Sequence, residues 1–323
     1  MPRHHIVPRM LLRNFAQNER TLQVVSRTNP SESHRESVDK AAAESGFYNI
    51  PAGDVEPEAG RQHDPESIEA ALSTVEGFTK PILSRIAQGT GLVEERDKFQ
   101  LSLFVALQVT RGWQYRSMVR QLATRMAKQF YNPCKGTVRA SVREYLASIA
   151  RPNNPEEVTN FINTVRQSGW MLDPGKTFLV QESMSQACSV LSPILFSRPL
   201  RVFRFERPSL LTSDAAVGLW APDGSEPRSA GVLDARGVFM AINRYTALGF
   251  MSTGEDRDIA GSPFWARHIN LSIADRAHSW IYHHPDDNPL ADIALPPPAT
   301  LKTVVDSATL TYKGDIKVSG RHV

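Results

Sequence analysis

The sequence predicts an α+β protein: a mostly helical N-terminal two-thirds packed against a small, mainly antiparallel sheet, with a C-terminal helix. Three observations carry that expectation. Apolar residues recur at helical spacing from about residue 64 to 196. From Leu200 to about residue 252 the pattern changes to short apolar runs separated by Pro, Gly and Asp turns. A last helical stripe, with Phe264, Trp265, Ile269, Ile273 and Ile281, spans Pro263 to Tyr282. Helices grouped first and strands afterwards favour an α+β arrangement over a wound parallel sheet. One domain is expected over 1–295, with a C-terminal extension at 296–323 that begins with Pro296-Pro297-Pro298.

Residues 1–16 read as a short extended segment followed by an apolar patch, Met10, Leu11, Leu12 and Phe15. Thr21 to Ser26 reads as a strand. Residues 27–64, rich in Ser, Glu, Asp, Gly and Pro, read as a long loop pinned by the aromatic pair Phe47-Tyr48. Asp64 and Pro65 suit the N-cap and first position of a helix. Ile68, Leu72, Val75, Thr79, Ile82 and Ile86 then form its stripe, Pro81 should kink it or split it, and Gly89 ends it. A longer helix is expected from Glu94 to Phe130. It is apolar nearly all round at Leu101–Leu107, and Gly112 permits a bend. Further helices are expected at 138–150, at 155–167 with Asn154 as cap, and at 176–196, where Pro193 disturbs the last turn. Strands follow at 200–205, 209–212, 217–220, 237–243 and 245–251.

Composition bounds the function classes. Apolar residues make up 41% of 323, enough for a sizeable core, and a net charge of +3 argues against a disordered chain. Acidic residues are interspersed with the arginines, so an anionic ligand or nucleic acid is a permitted partner without a dedicated basic tail to receive it. The densest basic stretch, Arg111, Arg116, Arg120, Arg125 and Lys128, also reads as a solvated helix face. Cys134 and Cys188 have no metal-like spacing and are expected as reduced thiols. No apolar run reaches the ~18 residues of a membrane span, and the opening lacks a secretory segment, so a soluble, cytoplasmic protein with no membrane partner is expected. Phosphate-binding loops, dinucleotide glycine fingerprints and nucleophile elbows are absent.

The opening His4-His5-Ile6-Val7-Pro8-Arg9 invites comparison with the His turn of HNH nucleases, but only three residues precede His4, too few for the strand that such a metal module needs. Glu69 and Glu76 lie seven residues apart, on one helix side at the border of its stripe. There they can serve as an acid–base pair or hold a cation, and Glu76 can equally pair with Lys80. Gln108, Arg111 and Tyr115 fall at i, i+3 and i+7 on a face that should be buried. Buried polar groups require partners, and a glutamate of the preceding helix is the natural one for Arg111. The resulting network reads as structural or as part of a site. Asp214, in Thr212-Ser213-Asp214 at a strand end, is placed for a site or for a turn cap.

These pieces resemble the bacterial domain-of-unknown-function family 4238. The resemblance rests on His5-Ile6-Val7-Pro8 with Leu12 and Phe15, on Phe47-Tyr48, on Glu69 and Glu76, on Gln108 and Arg111, on Thr212-Ser213-Asp214, and on Asn270 with Arg276. It covers about residues 4–282. Ile6 stands where an aromatic is usual, and Ala215-Ala216-Val217 where Asn-Pro-Val is usual. The resemblance brings no activity, but it implies that His5, Glu69, Glu76, Gln108, Arg111 and Asp214 converge on one polar pocket. Their residue types point to metal-assisted hydrolysis, for example of a phosphodiester. His5, Glu69, Glu76 and Asp214 would ligate or exchange protons, Arg111 would stabilise negative charge, and a divalent metal is the candidate cofactor. The alternative is a non-enzymatic binding or regulatory protein in which the same network is structural.

Overall fold

The structure, a computed structural model, describes residues 3–49, 66–89, 93–130, 136–148, 150–167, 174–221, 231–291 and 293–297. It is an α+β protein, with strands at both ends of the helical part. The chain divides into two compact units, Met1–Arg116 with Lys176–Thr300, and Ser117–Gly175 with Leu301–Val323.

The first unit opens with β1 (Arg3–His5), α1 (Arg9–Arg13), β2 (Thr21–Ser26), β3 (Ser33–Ser37) and β4 (Ala43–Ser45). The expected loop over 27–64 therefore holds two strands, as far as residue 49. Both are polar: β3 pairs with β2, the strand just before it, and β4 pairs with the distant β1, Arg3 facing Ser45. The apolar patch of α1 fills the core with Leu11, Leu12 and Phe15.

Next comes α2 (Ser67–Ala87), which buries Leu72, Thr79, Ile82, Leu83 and Ile86 and carries Pro81 without ending. The expected cap at Asp64-Pro65 lies outside the described residues. The expected single helix over 94–130 is two, α3 (Glu95–Thr110) and α4 (Trp113–Phe130), separated at Arg111-Gly112. A capping box between Glu94 and Asp97 starts α3. Its Leu101, Phe104, Val105, Ala106 and Leu107 are all buried, which makes it the central helix. The expected 176–196 helix is α7 (Lys176–Gln186), a π-helical turn (Ala187–Leu191) and α8 (Ser192–Ser197), with Pro193 at the start of α8, where its missing N–H costs least.

Two sheets complete this unit. β5 (Leu200–Arg204), β7 (Gly218–Trp220), β8 (Gly237–Ala241), β9 (Thr246–Met251) and β10 (Arg257–Ala260) form a five-stranded sheet in the order β10-β5-β9-β8-β7. It is antiparallel except for the β10–β5 pair. β8 and β9 are buried at every position, as strands covered on both faces must be. α9 (Pro263–Asp275), capped by Ser262, packs against β7. The approach is so close that a Cβ on Gly218 would lie 2.6 Å from the Ile273 nitrogen. The closing helix ends at Asp275 rather than Tyr282, because Trp280–His283 is β11, paired with β2 on one side and β6 (Thr212–Ser213) on the other. The second sheet is thus β3-β2-β11-β6.

In the second unit, α5 (Gly136–Ser148) packs on α6 (Pro155–Gln167) through Val142, Leu146, Val158 and Ile162. Asn154 caps α6, its side-chain oxygen accepting from the amides of Glu156 and Glu157. Among the described residues no helix is long and apolar enough to cross a membrane.

Candidate functional site: a buried guanidinium between two helices

The stripe of α2 sets the site. Glu69 and Glu76 lie two turns apart on its border and are half-buried. Arg111, where α3 gives way to α4, is only 1% exposed. Its Nη1 donates to Glu76 Oε1 at 3.0 Å, so a glutamate of the preceding helix meets it, as its buried position requires. Its Nε and Nη2 have no hydrogen-bond partner among the described residues. Two unused donors on a buried cation are costly. Burial pushes the Glu69 carboxyl above the usual range. Glu76 raises it further, while Arg111 and Arg9 pull it back.

Tyr48 closes the group. Burial pushes its phenol up to about 12, opposed by Arg111 and Arg116, with Glu69 and Glu76 also in its field. Its hydroxyl has no partner among the described residues. The aromatic anchor is held from behind by Arg116. That guanidinium lies 3.3 Å from the centre of the Phe47 ring and donates to the Phe47 carbonyl at 3.1 Å. Tyr48 is also fixed by its backbone N–H, which donates to His4 Nδ1 at 2.9 Å. His4 is therefore neutral with its proton on Nε2, and burial lowers its pKa. That Nε2 too lacks a partner among the described residues.

Of the five residues singled out from sequence, the structure groups Glu69, Glu76 and Arg111. His5 points the other way from its neighbour along β1. It is half-buried, and its Nε2 lies 3.3 Å from the Val38 carbonyl. Burial first and Arg9 second lower its pKa, and Arg9 also lies in the field of Glu69. Asp214, 7% exposed, is committed to a turn. Oδ1 accepts from the His278 amide at 2.7 Å, and Oδ2 accepts from Ser279 at 2.7 Å and Trp280 at 3.0 Å. Burial raises its carboxyl and those three amides lower it. Its lone pairs hold the α9–β11 connection, the turn-capping role rather than that of a free ligand or base. Asn270 is likewise structural, bridging the Leu211 amide and the Ser209 carbonyl.

Sequence reasoning passed over His4 in favour of His5, and placed Tyr48 only as an anchor. The strand period of two decides between the histidines, but three residues of β1 are too few to show which parity faces inward. No group of three or more His, Cys, Asp or Glu side chains able to hold a metal ion occurs among the described residues. Glu69 and Glu76 offer two carboxylates, the second already bonded to Arg111, so this donor set does not fit a metal centre. What the arrangement offers instead is an anion seat, two guanidinium N–H directions with a phenol beside them, and a carboxyl inclined to keep its proton.

No curated protein and no solved structure matches this chain. A family model described as "Protein of unknown function (DUF4238)" does, across residues 3–287. That span takes in β1 with its histidines, the Glu69–Glu76–Arg111 group and the Asp214 turn, so the chain belongs to the DUF4238 family.

Proposed function

We propose that the Arg111 cluster binds an anionic ester and hydrolyses it by acid–base catalysis, with a phosphodiester as the substrate class. The observation that carries this reading is the buried guanidinium with two unpartnered nitrogens. A fork of N–H donors matches two oxygens of a phosphoryl group, and the Tyr48 hydroxyl can donate to a third. Water adds to phosphorus and gives a proton to Glu76. Glu69, in its protonated form, gives that proton to the departing oxygen, and the two carboxyls exchange to restore the start. Arg111 and Tyr48 stabilise the charge that grows on the non-bridging oxygens. A cytoplasmic location accompanies this reading, on the expectation of reduced thiols.

The test is turnover of bis(p-nitrophenyl) phosphate by the full chain, with and without a chelator. Turnover that survives chelation and falls by about two orders of magnitude in Glu69→Gln supports the mechanism. Turnover that requires added metal replaces it with the metal-assisted version. No turnover, with inorganic phosphate failing to bind, leaves the second reading: a binding or regulatory protein. The observation behind that reading is that the Glu76–Arg111 bond ties α2 to α3.

A further inference from the structure

Gln108 sits one turn before Arg111 on the same helix and is 3% exposed, yet both its amide oxygen and its amide nitrogen lack hydrogen-bond partners among the described residues. A buried carboxamide with both ends free is as costly as the unused donors of Arg111, and nothing in the Glu69–Glu76 chemistry uses it. It lines a niche of about 10 Å³ together with Trp113, Asp214, Arg276 and His278. Trp113, Asp214 and His278 also wall a larger cleft of about 210 Å³, which Trp280 and Tyr282 flank. The niche has room for one water or for the edge of a ligand, and the cleft has room for a ring. Trp113 and His278 stack with centroids 5.8 Å apart and planes 23° apart, so they present flat aromatic surface to that space. Arg276, half-buried at the end of α9, has the neighbouring Asp275 carboxylate in its field.

We infer that the anionic substrate of the Arg111 site is a nucleotide, its base edge read by Gln108 against the Trp113–His278 surface and its phosphate held by Arg111. This rests on the hydrolytic reading above and supplies its substrate class. A carboxamide gives one donor and one acceptor side by side, the complement of adenine N7 and N6, whereas the same edge of guanine carries two acceptors. Three residues of α-helix separate Gln108 from Arg111, a rise of about 4.5 Å, so the two side chains leave neighbouring turns of one helix end.

The test is calorimetric titration of the full chain with adenosine monophosphate, guanosine monophosphate and inorganic phosphate. Adenosine monophosphate should bind at least about tenfold tighter than phosphate, and tighter than the guanosine compound. Gln108→Met should remove that advantage, leave phosphate affinity unchanged and melt no lower than the native chain, because it removes an unsatisfied amide. If phosphate binds and the nucleotides bind no tighter, or if Gln108→Met keeps the advantage, a trapped water occupies the niche. The nucleotide assignment then fails while the anion seat stands. If neither phosphate nor nucleotide binds, both fail. Should Gln108→Met not fold, tryptophan quenching by adenosine monophosphate but not by phosphate, lost in Trp113→Phe, decides the question. Absence of that quenching overturns the assignment.

Discussion

Two buried polar regions of this protein are built to different rules. Around the five-stranded sheet and the α9–β11 turn, two buried charges are answered by the backbone. Asp214 accepts three backbone amides. Arg198 donates to the carbonyls of Val232, Leu233 and Ala235 at 2.7 to 2.9 Å. At the α3–α4 break, by contrast, Arg111 uses one nitrogen of three, and Gln108 and Tyr48 use none of their side-chain polar atoms, among the described residues. The same chain can satisfy an arginine completely where the arginine only holds the fold. The donors left idle at Arg111 among the described residues are the observation on which the proposed anion seat rests.

Four variants break or sharpen that contrast. Asp214→Ala strands three buried amides and should cost at least about 3 kcal/mol in denaturant unfolding. A loss below about 1 kcal/mol would return Asp214 to the list of free functional groups. Arg198→Leu frees three carbonyls, one of them on an exposed residue, and should cost about 2 kcal/mol. Replacing the ion pair together, Glu76→Gln with Arg111→Met, should change stability by less than about 1 kcal/mol while abolishing phosphate binding. Most of the bonding capacity of that arginine is unused, and Glu76 stays partly in water. A loss as large as that of Asp214→Ala would make the pair structural. Glu69→Gln should have the smallest effect, a gain of about 2 °C in Tm near neutral pH. The raised Glu69 carboxyl means that the folded chain binds the extra proton, so stability falls as pH rises through its titration. The advantage of the amide should close as pH drops below the ordinary glutamate range, and a pH-independent gain would refute that cause.

What was legible in the sequence was local. The stripe of α2, the Asn154 cap of α6 and the apolar run of α3 announce themselves within a few residues, and so does the requirement that Arg111 find a carboxylate. The strands Ser33–Ser37 and Arg257–Ala260 were not legible. Neither alternates apolar with polar residues, and each is a strand because a partner supplies its ladder, the adjacent β2 for the first and the more distant β5 for the second. Ile281 fits the helical spacing of α9 as well as it fits β11. Only pairing with Val25, more than 250 residues away, decides the matter. The idle amide of Gln108 was equally hidden, since sequence shows that a polar group is buried but not whether a neighbour answers it.

The edges of the two larger sheets bear on how the protein behaves in concentrated solution. One sheet ends in the three-residue β7 and in β10, whose exposed ladder side carries Arg257 and Asp258. The other ends in the two-residue β6 and in polar β3. An intruding strand finds either too few backbone groups to zip onto or a row of charges it would have to strip of water. Polymerisation through strand exchange is thereby discouraged at all four margins, and replacing Arg257 and Asp258 with valines would open the first of them.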